Sequence, residues 1–179
     1  MLRKILSYGT VSGLIVGGAL SVIVLTLGDQ MGHGAIGMLV GYLTMLVGLS
    51  LVFVAIKRHR DVDLGGVIRF WPAFGLGLGV SFVASLFYVI AWESALAITG
   101  MDFAGTYASA VIERQKAAGV SGEALAKLVA DMESFKTHYA NPAYRWPMTF
   151  AEIFPVGVIV SLISAALLRN RRLLPARRA

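Results

Sequence analysis

The chain has 179 residues, 57% of them hydrophobic and only 15% charged, with a mean hydropathy of +0.74 and a formal net charge of +6. Soluble domains are about 45–50% apolar, so this composition excludes an ordinary water-soluble enzyme or binding module and indicates a membrane protein. The absence of cysteine excludes disulfides, thiol catalysis and cysteine-ligated zinc or iron–sulfur centres.

Four apolar segments reach the roughly 20 residues that a helix needs to cross the hydrocarbon core. The first is Ile5 to Leu27. Arg3 and Lys4 precede it as in a secretion signal, but the apolar stretch is too long and no small-x-small cleavage site follows, so it is expected to be retained. A short "GDQMGHG" turn leads to the second segment, Ala35 to Ile56, and the basic loop "KRHRDVDLGGVIR" leads to the third, Phe70 to Ala97. The fourth runs from Thr149 to Leu168.

Between the third and fourth segments, Met101 to Met148 holds no spanning run yet is patterned. A first amphipathic helix is expected over Thr106 to Ala118, with Tyr107, Ala110, Val111 and Ala118 on one face. A second begins at Ser121, which can cap it, with Glu123 at its positive end. It carries Leu125, Leu128, Val129, Met132 and Phe135 at helical spacing and stops at Asn141-Pro142. "YRWPM" then supplies Tyr144 and Trp146 as interfacial aromatics where the chain re-enters the bilayer. The expected fold is therefore an all-α integral membrane protein: one domain, residues 1–179, of four transmembrane helices in a tight bundle, with an outer-side amphipathic helical insertion, residues 101–148, between helices 3 and 4.

Basic residues set the orientation. The N-terminus, the loop after the second segment and the tail hold 11 of the 16 Lys and Arg, together with 2 acidic residues; the other side holds 5 basic and 8 acidic residues. Both termini are thus expected in the cytoplasm. The same placement explains the positive charge without nucleic acid, which is not expected as a partner.

Small residues recur every fourth position within the spans: Gly13, Gly17 and Ser21; Gly37 and Gly41; Gly77, Ser81 and Ser85; Gly157, Ser161 and Ala165. Such stripes let helix backbones approach, which matters in lipid because apolar side chains gain little by leaving apolar tails. "GLGLG" in the third span lacks the preceding strand that a phosphate-binding loop requires.

"KRHRDVDLGGVIRFWPAFGLGLG", then "SLFYVIAWE" and, far downstream, "FPVGVIVSLISAALLR", together with Gly41-Tyr42, resemble a family of small bacterial inner-membrane proteins known as domain of unknown function 4199. The resemblance implies four helices in the bacterial inner membrane and no established activity. It carries over no catalytic residue.

The candidate site rests on acidic residues near the outer side. Glu93 lies 24 residues beyond Arg69, about 36 Å along a helix, and so should reach the interface, with Trp92 beside it at headgroup level. Glu152 lies 17 residues before Arg169, about 25 Å, slightly inside the boundary, where an ionisable group is a functional candidate. Pro155, three residues on, removes a backbone donor and leaves the Ala151 carbonyl without its usual partner. Asp29, His33, Glu93 and Glu152 together would suit a proton or cation site. The alternative is that these groups are solvated at loops and helix ends. No metal motif such as HExxH, no nucleophile elbow and no cofactor fingerprint is present. The functional expectation is an accessory or interaction protein whose insertion caps the bundle and meets a membrane-protein partner or a second copy. The alternative is a transport-related protein, proton- or cation-linked through its outer carboxylates.

Overall fold

The computed structural model describes residues 1–27 and 35–175. Asp29 and His33 lie outside them. The described chain is helical, without strands: α1 (Leu2–Leu27), α2 (Ala35–Arg58), α3 (Phe70–Thr99), α4 (Phe103–Ala117), α5 (Gly122–Tyr139) and α6 (Pro142–Leu168). Four helices, α1, α2, α3 and α6, are long and apolar enough to cross a membrane. Their outward surfaces are apolar: Leu14, Val22, Val47, Ile90 and Ile159 are each about 60% exposed. Apolar surface on this scale would be a liability in water and is what lipid requires.

Helix ends follow local chemistry. Gly100 adopts the left-handed conformation, φ +64°, and closes α3 by donating its N–H to the Leu96 carbonyl. Asp102 caps α4, its Oδ1 accepting from Gly105 N at 2.9 Å. Asn141-Pro142 both stops α5 and starts α6. The Asn141 Oδ1 accepts from Ala143 N at 3.0 Å and Pro142 occupies the first turn, where its missing N–H costs nothing.

Several boundaries differ from expectation. The fourth span begins at Pro142 rather than Thr149, so "YRWPM" is helical and α6 is about 10 Å longer than expected. Pro147 and Pro155 both lie inside α6. The first hairpin helix begins at Phe103, and its inward face is set by Ala104 and Ala108, with Ala118 exposed. Of the expected face, Tyr107 packs on Phe135 and Ala110 and Val111 are half-buried. Ser121 stands at the N-cap of α5 but its hydroxyl makes no capping hydrogen bond; Gly122, at φ +61°, makes the turn into the helix.

The spans meet through small residues. A Cβ on Gly13 would lie 2.5 Å from Phe87 Cβ, and one on Gly17 would lie 2.8 Å from Ala91 Cβ. Gly9, one turn earlier, extends this α1–α3 seam against Val83. The α3–α6 seam is reciprocal, with Gly77 facing Ser161 and Gly157 facing Ser81. Ser81 Oγ lies 3.2 Å from Ser161 Oγ, and both hydroxyls reach the Gly157 carbonyl. On α2 the close approach is at Gly48, which abuts Val16 and receives the Ser12 hydroxyl on its carbonyl at 2.7 Å. Gly41 does not pack as expected: a Cβ there would meet nothing within 4 Å. Gly37 is half-buried.

Candidate functional site

The end of the spans where α3 and α6 meet the α4–α5 hairpin carries the expected carboxylates Glu93 and Glu152. They occupy different environments. Glu93, expected at the outer interface, is gripped by Arg145 of α6. The guanidinium donates from Nε to Oε1 at 2.6 Å and from Nη2 to Oε2 at 2.5 Å, a two-pronged geometry that fixes both side chains. The third prong, Nη1, donates to the Tyr139 carbonyl at 3.1 Å, tying the end of α5 to the same point. The Arg145 guanidinium also lies 5.6 Å from the centre of the Tyr139 ring, within cation–π range. Glu93 therefore serves as a clamp, and its charge is matched.

Trp92 also departs from expectation. It is 6% exposed, facing inward rather than lying at a lipid headgroup. Its indole Nε1 donates to the Tyr139 hydroxyl at 2.9 Å, and Phe103 packs edge-on against it with ring centres 5.0 Å apart. From there an aromatic chain runs through the hairpin: Phe103 to Tyr139 at 5.5 Å, Tyr139 to Phe135 at 5.3 Å, and Phe135 to Tyr107 at 5.6 Å. Most of the stripe on α5 is thereby turned inward, with Leu125, Leu128, Met132 and Phe135 half-buried, while Val129, its fifth member, is exposed. Burial pushes the Tyr139 hydroxyl up to about 12, because a phenolate lacks solvation there.

Glu152 has no ion-pair partner among the described residues. It lines a half-enclosed cavity of about 250 Å³, whose other walls include Trp92, Phe103, Tyr139 and Met148. Tyr88, which is 5% exposed, lines the same cavity. Five of the six described helices converge there, and the exposed side chain of Glu152 opens onto it. Asp29 and His33, the other two members of the expected set, are not described. Among the described residues, no group of three or more His, Asp or Glu side chains is arranged to hold a metal ion.

Sequence reasoning missed Arg145, which had been counted only as an outer-side charge, and Tyr139, which had no helical partner to reveal it. Their spacing, Tyr139 just before and Arg145 just after the Asn141-Pro142 break, is the one local signal that they share a corner. At the opposite end the sequence also missed Arg60, which is fully buried. A π-helical turn, His59–Asp63, prolongs α2 and directs this guanidinium to the carbonyls of Leu168, Leu173 and Leu174 at 3.4, 3.1 and 2.5 Å. It thus reaches the last carbonyl of α6, which has lost its helical partner, and ties the following segment to the same point. Asp61 accepts from Arg60 Nε at 2.6 Å and from Lys57 at 2.6 Å.

Comparison with known proteins gives a family and no more. No curated protein and no solved structure matches the chain. The family described as "Protein of unknown function (DUF4199)" matches over residues 11–170, nearly the whole length, and the chain accordingly belongs to that family.

Proposed function

We propose that this protein is a small accessory protein of the bacterial inner membrane, with both termini in the cytoplasm, whose α4–α5 hairpin caps the outer end of the spans and docks a membrane-protein partner or a second copy. The observation that carries the reading is the double tether of the hairpin: Arg145 joins Glu93 to the Tyr139 backbone, and Trp92 holds the Tyr139 hydroxyl. With most of its apolar stripe turned inward, α5 leaves Glu123, Lys127 and Asp131 exposed. A rigid surface of mixed charge suits specific recognition better than attachment to lipid, which favours a generously basic face. Mild-detergent purification followed by mass spectrometry tests this. A stoichiometric partner, lost when Lys127 and Asp131 are exchanged in charge, supports docking; an unaccompanied monomer whose behaviour ignores the exchange contradicts it.

A second reading, cation-linked transport, is favoured by Glu152, a carboxyl inside a spanning helix with no ion-pair partner among the described residues. Reconstituted vesicles test it. Glu152→Gln should abolish solute-driven proton or cation flux while leaving the protein assembled, and equal flux in both proteins contradicts it.

A further inference from the structure

We infer that the cavity beneath the hairpin is a binding site for a small organic cation, a quaternary or protonated amine, held by Glu152 against the aromatic walls formed by Tyr88, Trp92 and Phe103. The inference gives the cation-linked reading a ligand class and is independent of the docking reading.

Three observations select this ligand. First, charge: Glu152 brings a carboxyl to the cavity with no cation opposite it among the described residues. Arg145, the basic group nearby, is matched by both oxygens of Glu93, so it neither neutralises Glu152 nor recruits an anion. Second, the walls: Tyr88, Trp92, Phe103 and Tyr139 are aromatic and Met148 is a polarisable thioether. Aromatic faces attract alkylated ammonium groups, most strongly when water is excluded, whereas a bare metal ion favours several carboxylate or carbonyl ligands and Glu152 is the one carboxylate among the lining residues. Third, size: about 250 Å³ lies just below the roughly 300–1,000 Å³ of pockets that take drug-sized molecules. The space therefore suits a compact head of a few carbons around one nitrogen.

The walls are also held in place. Trp92 is fixed by its hydrogen bond to Tyr139 and by the edge of Phe103, and Tyr139 is fixed in turn by Arg145. Such pre-organisation lowers the entropy lost when a ligand binds. Because Phe103 and Tyr139 belong to the hairpin, the ligand would touch both the spans and their cap.

Titration calorimetry on the full chain in mild detergent, at mildly alkaline pH, tests the site with three probes: choline, tetramethylammonium, and the neutral carbon isostere of choline, 3,3-dimethyl-1-butanol. The expected result is saturable binding of both cations, at least about tenfold weaker binding of the isostere, and a similar loss in Glu152→Gln, each equal to about 1.4 kcal/mol. Comparison of the isostere with choline on the unaltered protein needs no variant to fold. Equal binding of choline and its isostere, or no saturation by either cation up to roughly 10 mM, overturns the proposal. The docking reading is judged by partner recovery and flux by vesicles, so failure here is distinguishable from failure of either.

Discussion

Ser81 lies directly on Gly157: a Cβ on the glycine would stand 2.6 Å from the serine Cβ, and the serine hydroxyl donates to the glycine carbonyl at 3.2 Å. The same contact recurs one turn away with the roles exchanged, Gly77 against Ser161. This seam joins α3 to α6 where van der Waals contact and hydrogen bonding must replace the hydrophobic driving force that lipid does not supply.

The seam sets the first prediction. Gly157→Val should push α3 and α6 apart and cost about 1–3 kcal/mol through overpacking. Gly41→Ala, in a helix but in open space, should be neutral or stabilise by up to about 1 kcal/mol. Unfolding in mixed micelles measures both, and equal losses at the two glycines would refute the seam.

The clamp sets the second. Glu93→Gln, which removes the charge and one of the two prongs, and Arg145→Met, which removes both, should each destabilise the folded protein by about 1.5–3 kcal/mol, because each leaves a half-buried charged partner unmatched. The double variant should lose clearly less than the sum, since the two groups act as one unit. Additive losses would show that they do not interact.

Arg60 carries the third. Arg60→Leu removes the donor to the last carbonyl of α6 and to two carbonyls of the segment that follows it and should cost about 3 kcal/mol, given about 1–3 kcal/mol for each buried group left unpaired and partial rescue by water. Arg60→Lys should recover only part of this, because an ammonium cannot fork to several acceptors in one plane. Full stability of the leucine variant by thermal denaturation would contradict this tie.

Tyr139 gives a prediction in pH. Its folded-state value, about 12, exceeds the roughly 10 of an exposed tyrosine. Its contribution is therefore fully present below about pH 10 and is lost as pH rises towards 12, where the unfolded chain releases the proton first. Tyr139→Phe should be less stable at neutral pH, having stranded the Trp92 N–H, but should lose less further stability across that alkaline window. Parallel melting curves of the two proteins check this.

How much of this was legible in the sequence depends on the range of the interaction. The four spans and the break at Asn141-Pro142 were readable because length, hydropathy and proline chemistry act locally. The glycine and serine stripes were readable as stripes, but which stripe faces which was not: spacing marked Gly41 and passed over Gly48, because both satisfy the pattern and only tertiary packing separates them. The Glu93–Arg145 clamp spans 52 residues and Arg60 reaches carbonyls 108 to 114 residues away. Charge counting sees such groups as members of a side, with no means of assigning partners. Glu152 was found because an ionisable group in a span is costly wherever it faces; the aromatic cavity around it draws on five helices and had no sequence signature.

The central claim is that four crossings place the hairpin on the opposite side of the membrane from the tail. The chain has no cysteine, so single-cysteine labelling tests it without background. In intact cells a membrane-impermeant maleimide should label Lys127→Cys on α5 readily and should reach Arg172→Cys in the tail only after permeabilisation. Labelling of both positions from the same side would contradict the four-span arrangement, and with it the outer cap.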